Sequence, residues 1–282
     1  MACLDLLLHI DSYPTPMPAA LIDESVALAA SLGGKLTGLT IEIDIPVQSN
    51  RLAEYLIGLS ALGRQEEERC REACKAGLEH FSTAARAAGV FNEAILGRTN
   101  YLDRDEDVTR RARARDLCLL PRTPGIERQF DVAQAVVFGC GRPVLIYQPG
   151  ALGDLATWPE VAVIAWDGSR GAARAMADAL PLLKRARLVR VLTVVNEKPG
   201  ATFELGVDPV RHLLMHGVAA VRDEIDIGGE TIGVAMEAYL QREGARLLVM
   251  GAYGHSRVRE FLLGGATNYA LRATACPVLL SH

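Results

Sequence analysis

Short, wholly apolar runs alternate along the chain with longer stretches whose apolar residues recur every three or four positions. That is the pattern of buried strands separated by amphipathic helices. It predicts a strand over Leu4–Ile10, an alanine-rich helix over Pro18–Leu32 stopped by Gly33-Gly34, and a strand over Lys35–Ile43. A long helix over Asn50–Ala88 follows, interrupted softly near Gly58 and Gly63 and closed by Gly89; its charged stretch Arg64–Lys75 reads as a solvated face. Then come a strand over Val90–Leu96, a helix over Asp103–Arg113, a strand over Leu117–Leu120, a helix over Phe130–Phe138 and a strand over Pro143–Tyr147. Gln148–Trp158, rich in Gly and Pro and followed by Pro159, reads as a linker.

After it the same order begins again. Strands are predicted over Val161–Trp166, Ala186–Val195, Val218–Ile225, Leu247–Met250 and Val278–Ser281, with helices over Gly171–Lys184, Pro209–His216, Glu230–Arg242 and Thr267–Arg272. Strands alternating with helices imply a doubly wound parallel sheet, an α/β fold present here in two tandem copies. Three anchors align the copies: Asp11 with Asp167, Ala114-Arg115 with Ala245-Arg246, and Arg142-Pro143-Val144-Leu145 with Cys276-Pro277-Val278-Leu279. The expected organisation is a domain over 1–147, a linker over 148–159 and a domain over 160–282.

Candidate chemistry concentrates in Met250–Thr267. The apolar run Leu247–Met250 leads into Gly251 and Gly254, and then Gly264-Gly265-Ala266-Thr267 precedes the final helix. Glycines at a strand's carboxyl end allow positive φ and close approach of a ligand to the backbone. Free amide groups, a hydroxyl and a helix N-terminus together suit an anion such as phosphate. The stretch is neither a Walker loop nor a G-x-G-x-x-G fingerprint, and two glycine turns around a surface helix are the plainer account of such a spacing taken alone.

Gly251-x2-Gly254-x9-Gly264 resembles the nucleotide loop of ATP-binding members of the universal stress protein family. Ala165-Trp166-Asp167-Gly168-Ser169 and Ala275-Cys276-Pro277-Val278-Leu279-Leu280 are similar to that family's first-strand turn and closing strand. The likeness covers Val161–His282 well and the first half in outline. It implies two Rossmann-like domains of the adenine-nucleotide α-hydrolase-like type, a stress or signalling role, and ATP or another adenine nucleotide, with magnesium as a companion. On this resemblance Asp167 faces the base or ribose, Val194 and Val195 line the base pocket, and Gly251, Gly254, Gly264, Gly265, Ala266 and Thr267 wrap the phosphates. His255 and Arg257 lie in the intervening loop, where they could add charge-assisted contacts. Each has a plainer reading: Asp167 as a helix cap, Arg257 solvated, His255 a loop residue. Gly265 departs from the family, whose ATP-binding members carry Ser or Thr there.

The first copy has Pro121 where the second has Gly251, and proline fixes φ and offers no N–H. Ser12-Tyr13-Pro14 follows Asp11 in place of Gly-Ser, so the first copy is expected to lack the nucleotide site. No Gly-x-Ser-x-Gly elbow, His-Glu-x-x-His or oriented Cys-His pair is present, and a non-enzymatic role is expected. The alternative is an interaction module with an empty site. Members of the family pair their last strands across a two-fold axis. Pro143–Tyr147 and the strand after Pro277 are therefore expected to pair antiparallel as an intramolecular pseudo-dimer, with a homodimer as a further form of self-association.

Composition narrows the classes. The 282 residues are 50% hydrophobic with a net charge of −4, enough apolar surface for a core and the wrong sign for non-specific nucleic-acid binding. No apolar run is long enough to span a bilayer, and Met1–Ile10 lacks a basic leader, so a cytoplasmic location is expected. Cys3, Cys118 and Cys276 read as small core residues. Cys70 and Cys74 share a helix face without a second ligand pair at zinc-like spacing.

Overall fold

The computed structural model describes residues 4–44, 59–195, 203–252, 265–272 and 276–282. Contacts divide them into two compact units, Leu4–Leu119 and Leu120–His282. In the first unit β1 (Asp5–His9), β2 (Lys35–Asp44), β3 (Phe91–Asn100) and β4 (Leu117–Pro121) lie in the order β3-β2-β1-β4, with β1 parallel to β2 and β4 and β2 parallel to β3. Helices α1 (Ala19–Leu32), α2 (Leu59–Ala87) and α3 (Arg104–Ala112) connect them.

Local chemistry sets these elements. Helix α1 ends where Gly33 turns left-handed at φ 70°, its N–H returning to Ala29 and Ala30. Gly38 in β2 leaves room for the Phe81 ring of α2, since a Cβ there would lie 2.5 Å from it. The expected softening at Gly63 is absent: α2 runs unbroken through it, because one interior glycine costs only about 1 kcal/mol in a long helix. Gly58 and the predicted start of this helix lie outside the described residues. Strand β3 continues past Leu96 to Asn100, because an edge strand can keep pairing after its apolar run ends; Arg98 and Asn100 stand beside Glu42 and Asp44 of β2.

In the second unit β5 (Val144–Tyr147), β6 (Val161–Ala165), β7 (Leu188–Val195), β8 (Ala220–Asp226), β9 (Leu247–Gly251) and β10 (Val278–Ser281) lie in the order β5-β10-β9-β6-β7-β8. Its helices are α4 (Glu127–Gly139), α5 (Arg170–Leu183), α6 (Val207–Met215), α7 (Ile232–Arg242) and α8 (Gly265–Arg272), with a 3-10 turn over Phe203–Gly206. All its strand pairs are parallel except β5–β10, which is antiparallel as expected. Under the sequence repeat that register is symmetric: Leu279 faces Leu145, its own counterpart, and the pairs Val278–Ile146 and Leu280–Val144 exchange. The segment read as a linker is packed against this unit. Leu152 and Trp158 are buried, and the Trp158 indole donates to the Arg246 carbonyl at 2.9 Å.

Candidate functional site

Strand order reverses in the second unit between β6 and β9. From β6 the chain steps outward to β7 and β8, then crosses back to β9 and β10. Ligands of open α/β sheets bind beyond the carboxyl ends of the strands at such a reversal. Parallel pairing of β6 with both β7 and β9 brings Ala165, Gly251 and the last residues of β7 to one edge of the sheet. Strand β7 overhangs: Ala165 is level with Leu192, so Val194 and Val195, both half-buried, project beyond β6.

Asp167 is exposed in the turn after β6. Its carboxylate accepts the Ser169 N–H at 3.0 Å, closing an Asx turn through Gly168 at φ 74°. Ser169 is the cap of α5, its hydroxyl accepting the Ala172 N–H at 3.1 Å, so Asp167 does not serve as that cap.

Gly251 is required for a different reason from the one its sequence suggests. It is absent from the positive-φ glycines; instead, a Cβ there would lie 2.4 Å from the Gly171 carbonyl carbon and 2.7 Å from the Ala172 nitrogen. Strand β9 ends hard against the first turn of α5, and only glycine fits. The final helix already includes Gly265 and Ala266, ahead of the expected Thr267, and Thr267 is buried; the residues before Gly265 lie outside the described residues. Gly254, His255, Arg257 and Gly264 lie outside the described residues.

Three residues at this edge escaped the sequence reading. Leu205, on the 3-10 turn, approaches Gly168: a Cβ there would stand 3.6 Å from its Cδ2. Thr193 of β7 and Ser281 of β10 are buried with hydroxyls lacking a hydrogen-bond partner among the described residues, and Ser281 is level with Gly251. The only signal for Thr193 and Ser281 was a hydroxyl residue near the end of an apolar run, and Leu205 had none.

Elsewhere, Cys70 and Cys74 are buried beside Ile43 and packed by Tyr13 and Tyr101. Ser12 Oγ lies 3.5 Å from Cys70 Sγ, and the Thr40 hydroxyl donates to Cys74 at 3.5 Å. The hydrogen bond from Cys74, helped by Ser12, draws the Cys70 thiol down to about 6 and pushes Cys74 up. Cys118 is likewise buried; Cys276 is half-buried and burial raises its thiol to about 12. Cys3 lies outside the described residues. Among the described residues no group of three or more His, Cys, Asp or Glu could hold a metal, and no helix is long and apolar enough to cross a membrane.

Comparison with known proteins agrees with this geometry. Residues 160–282 match the sequence profile of the universal stress protein family. Over the whole chain, the fold is similar to a universal stress protein from Archaeoglobus fulgidus DSM 4304, with TM-score 0.73 and 14% identity over 98% of this chain and 95% of that one. It is also similar to a functionally unknown protein from Pseudomonas aeruginosa PAO1, with TM-score 0.56 and 13% identity over 99% and 93%. In sequence the chain is 45% identical over 51 residues to universal stress protein Slr1230 of Synechocystis, a match spanning 17% of this chain and 18% of that relative. The alternating α/β architecture, the strand-order reversal and the profile match agree, and residues 160–282 therefore belong to the universal stress protein family.

Proposed function

We propose that residues 160–282 bind ATP or a related adenine nucleotide, with magnesium as its companion, and that the protein is a nucleotide-responsive cytoplasmic stress or signalling protein without catalysis of its own. The observation that carries this reading is that exposed Asp167 follows β6 at the same sheet edge as the glycine-bearing end of neighbouring β9, at the strand-order reversal. Asp167 would take the base or ribose, Val194 and Val195 the base pocket, and Gly251, Gly265, Ala266 and Thr267 the phosphates. The symmetric β5–β10 register supports an intramolecular pseudo-dimer.

A second reading is an interaction module with an empty site. It is favoured by Gly251, whose need for glycine is met by packing on α5, and by Gly265, which supplies no hydroxyl.

Two substitutions separate the readings. Gly265→Ser places a Cβ 3.2 Å from Ile232 Cγ2, a contact that a small shift relieves, and adds a hydroxyl. We expect it to tighten ATP binding roughly tenfold, about 1.4 kcal/mol, while Gly264→Val abolishes binding in a folded chain. Equal affinity of wild type and both variants, or no nucleotide released from purified protein and none bound on titration, favours the interaction module.

A further inference from the structure

The first unit, Leu4–Leu119, contains a groove of its own between α1 and α2, with a volume of about 580 Å³. That lies within the roughly 300–1,000 Å³ of small-molecule sites. Its apolar wall comes from Ile22 of α1 and Ala73, Ala76 and Gly77 of α2. Gly77 keeps the floor low, since a Cβ there would stand 3.1 Å from Ile10 Cγ2. Asp11, at the end of β1, lines the groove.

Asp11 is 6% exposed, yet its Oδ1 accepts no hydrogen bond among the described residues. The nearest ion-pairing nitrogens are Arg104 Nη1 at 3.7 Å and, on a ring that burial holds toward its neutral form, His9 Nδ1 at 3.8 Å, both too far to donate. Arg104 also lies 3.5 Å from Asp105 through its Nε, and its Nε and Nη2 have no hydrogen-bond partner among the described residues. Asp11 Oδ1 is itself enclosed, so a ligand in the groove meets Asp11 through the rest of its side chain, and two carboxylates beside one guanidinium leave a negative charge that a cation there offsets. The rim has the same sign: Arg69 is engaged by Glu66 at 2.7 Å and His80 by Asp23 at 2.8 Å, while Glu72 is exposed with no ion pair among the described residues.

We propose that this groove binds a small organic cation, a protonated amine on an apolar body, with the amine directed to Asp11 and the body laid along Ala73 and Ala76. The negative balance selects the cation, and the apolar wall selects against simple metal ions or polar amines. The site is independent of the nucleotide reading.

The test uses the full chain and three isosteric probes: tryptamine as its ammonium, tryptophol as the neutral alcohol, and indole-3-propanoate as the anion. Binding is followed by amide chemical shifts of Ile22, Ala73 and Ala76. Tryptammonium should shift these signals saturably, at least about tenfold more tightly than the alcohol, with the anion weakest and excess ATP without effect. Asp11→Asn should erase the preference for ammonium over alcohol. Ala76→Phe, at an exposed position, should block all three probes with an unchanged melting temperature. The proposal is overturned if no saturable shift occurs, if the anion binds as well as the cation, if ATP competes, or if Asp11→Asn keeps the preference.

Discussion

A methyl group at position 251 would sit 2.4 Å from the carbonyl carbon of Gly171, backbone against backbone. Neither strand end nor helix start can yield without parting β9 from α5, so we expect Gly251→Ala to cost about 2 kcal/mol or more. Denaturant titration would show it; an unchanged midpoint would mean the approach is looser than described. His9 makes a second residue-scale prediction. Burial is the largest influence on it and lowers its pKa from 6.5, with Asp11 and Asp105 opposing and Arg104 adding. A lowered folded pKa means that the unfolded chain takes up the proton first. The contribution of neutral His9 is therefore complete above pH 6.5 and is lost as pH falls below it, by up to about 1.4 kcal/mol per unit. Urea unfolding at pH 7.5 and 5.5 should show a steeper loss for wild type than for His9→Gln, and parallel losses would contradict this. The glycine at 251 was legible in the sequence and its cause was not. Positive φ and close backbone approach write the same letter, and only the position of α5 separates them.

Among elements, the strand most clearly written was β10. Pro277 followed by an apolar run, with a counterpart at Pro143, marked the strand, the family resemblance implied its antiparallel pairing with β5, and the register centres on Leu145 and Leu279. Both leucines are buried. Leu145→Ala and Leu279→Ala should each cost about 2–5 kcal/mol. Because they pair directly, the double variant should depart from additivity by at least about 0.5 kcal/mol. Strict additivity in a double-mutant cycle would contradict the pairing. Strand β3 and helix α8 were legible in kind but not in extent. Polar residues on an edge strand carry no burial signal, and glycine inside a helix looks like loop in the sequence.

For the whole molecule, the repeat of strand and helix order predicted the architecture from pattern alone, since parallel strands buried on both faces must be apolar throughout. The proposed asymmetry of function rests on fewer letters: Gly251 and Gly168-Ser169 in one half, against Pro121 and Ser12-Tyr13 in the other. The groove beside Asp11 was invisible in sequence, because it depends on α1 and α2 lying side by side. The central claim, one nucleotide site belonging to residues 160–282, is tested most directly by calorimetric titration of the full chain with ATP. The account predicts one nucleotide per chain, with binding lost in Gly264→Val and weakened in Asp167→Ala. Two nucleotides per chain, or one that survives both substitutions in folded protein, would contradict it.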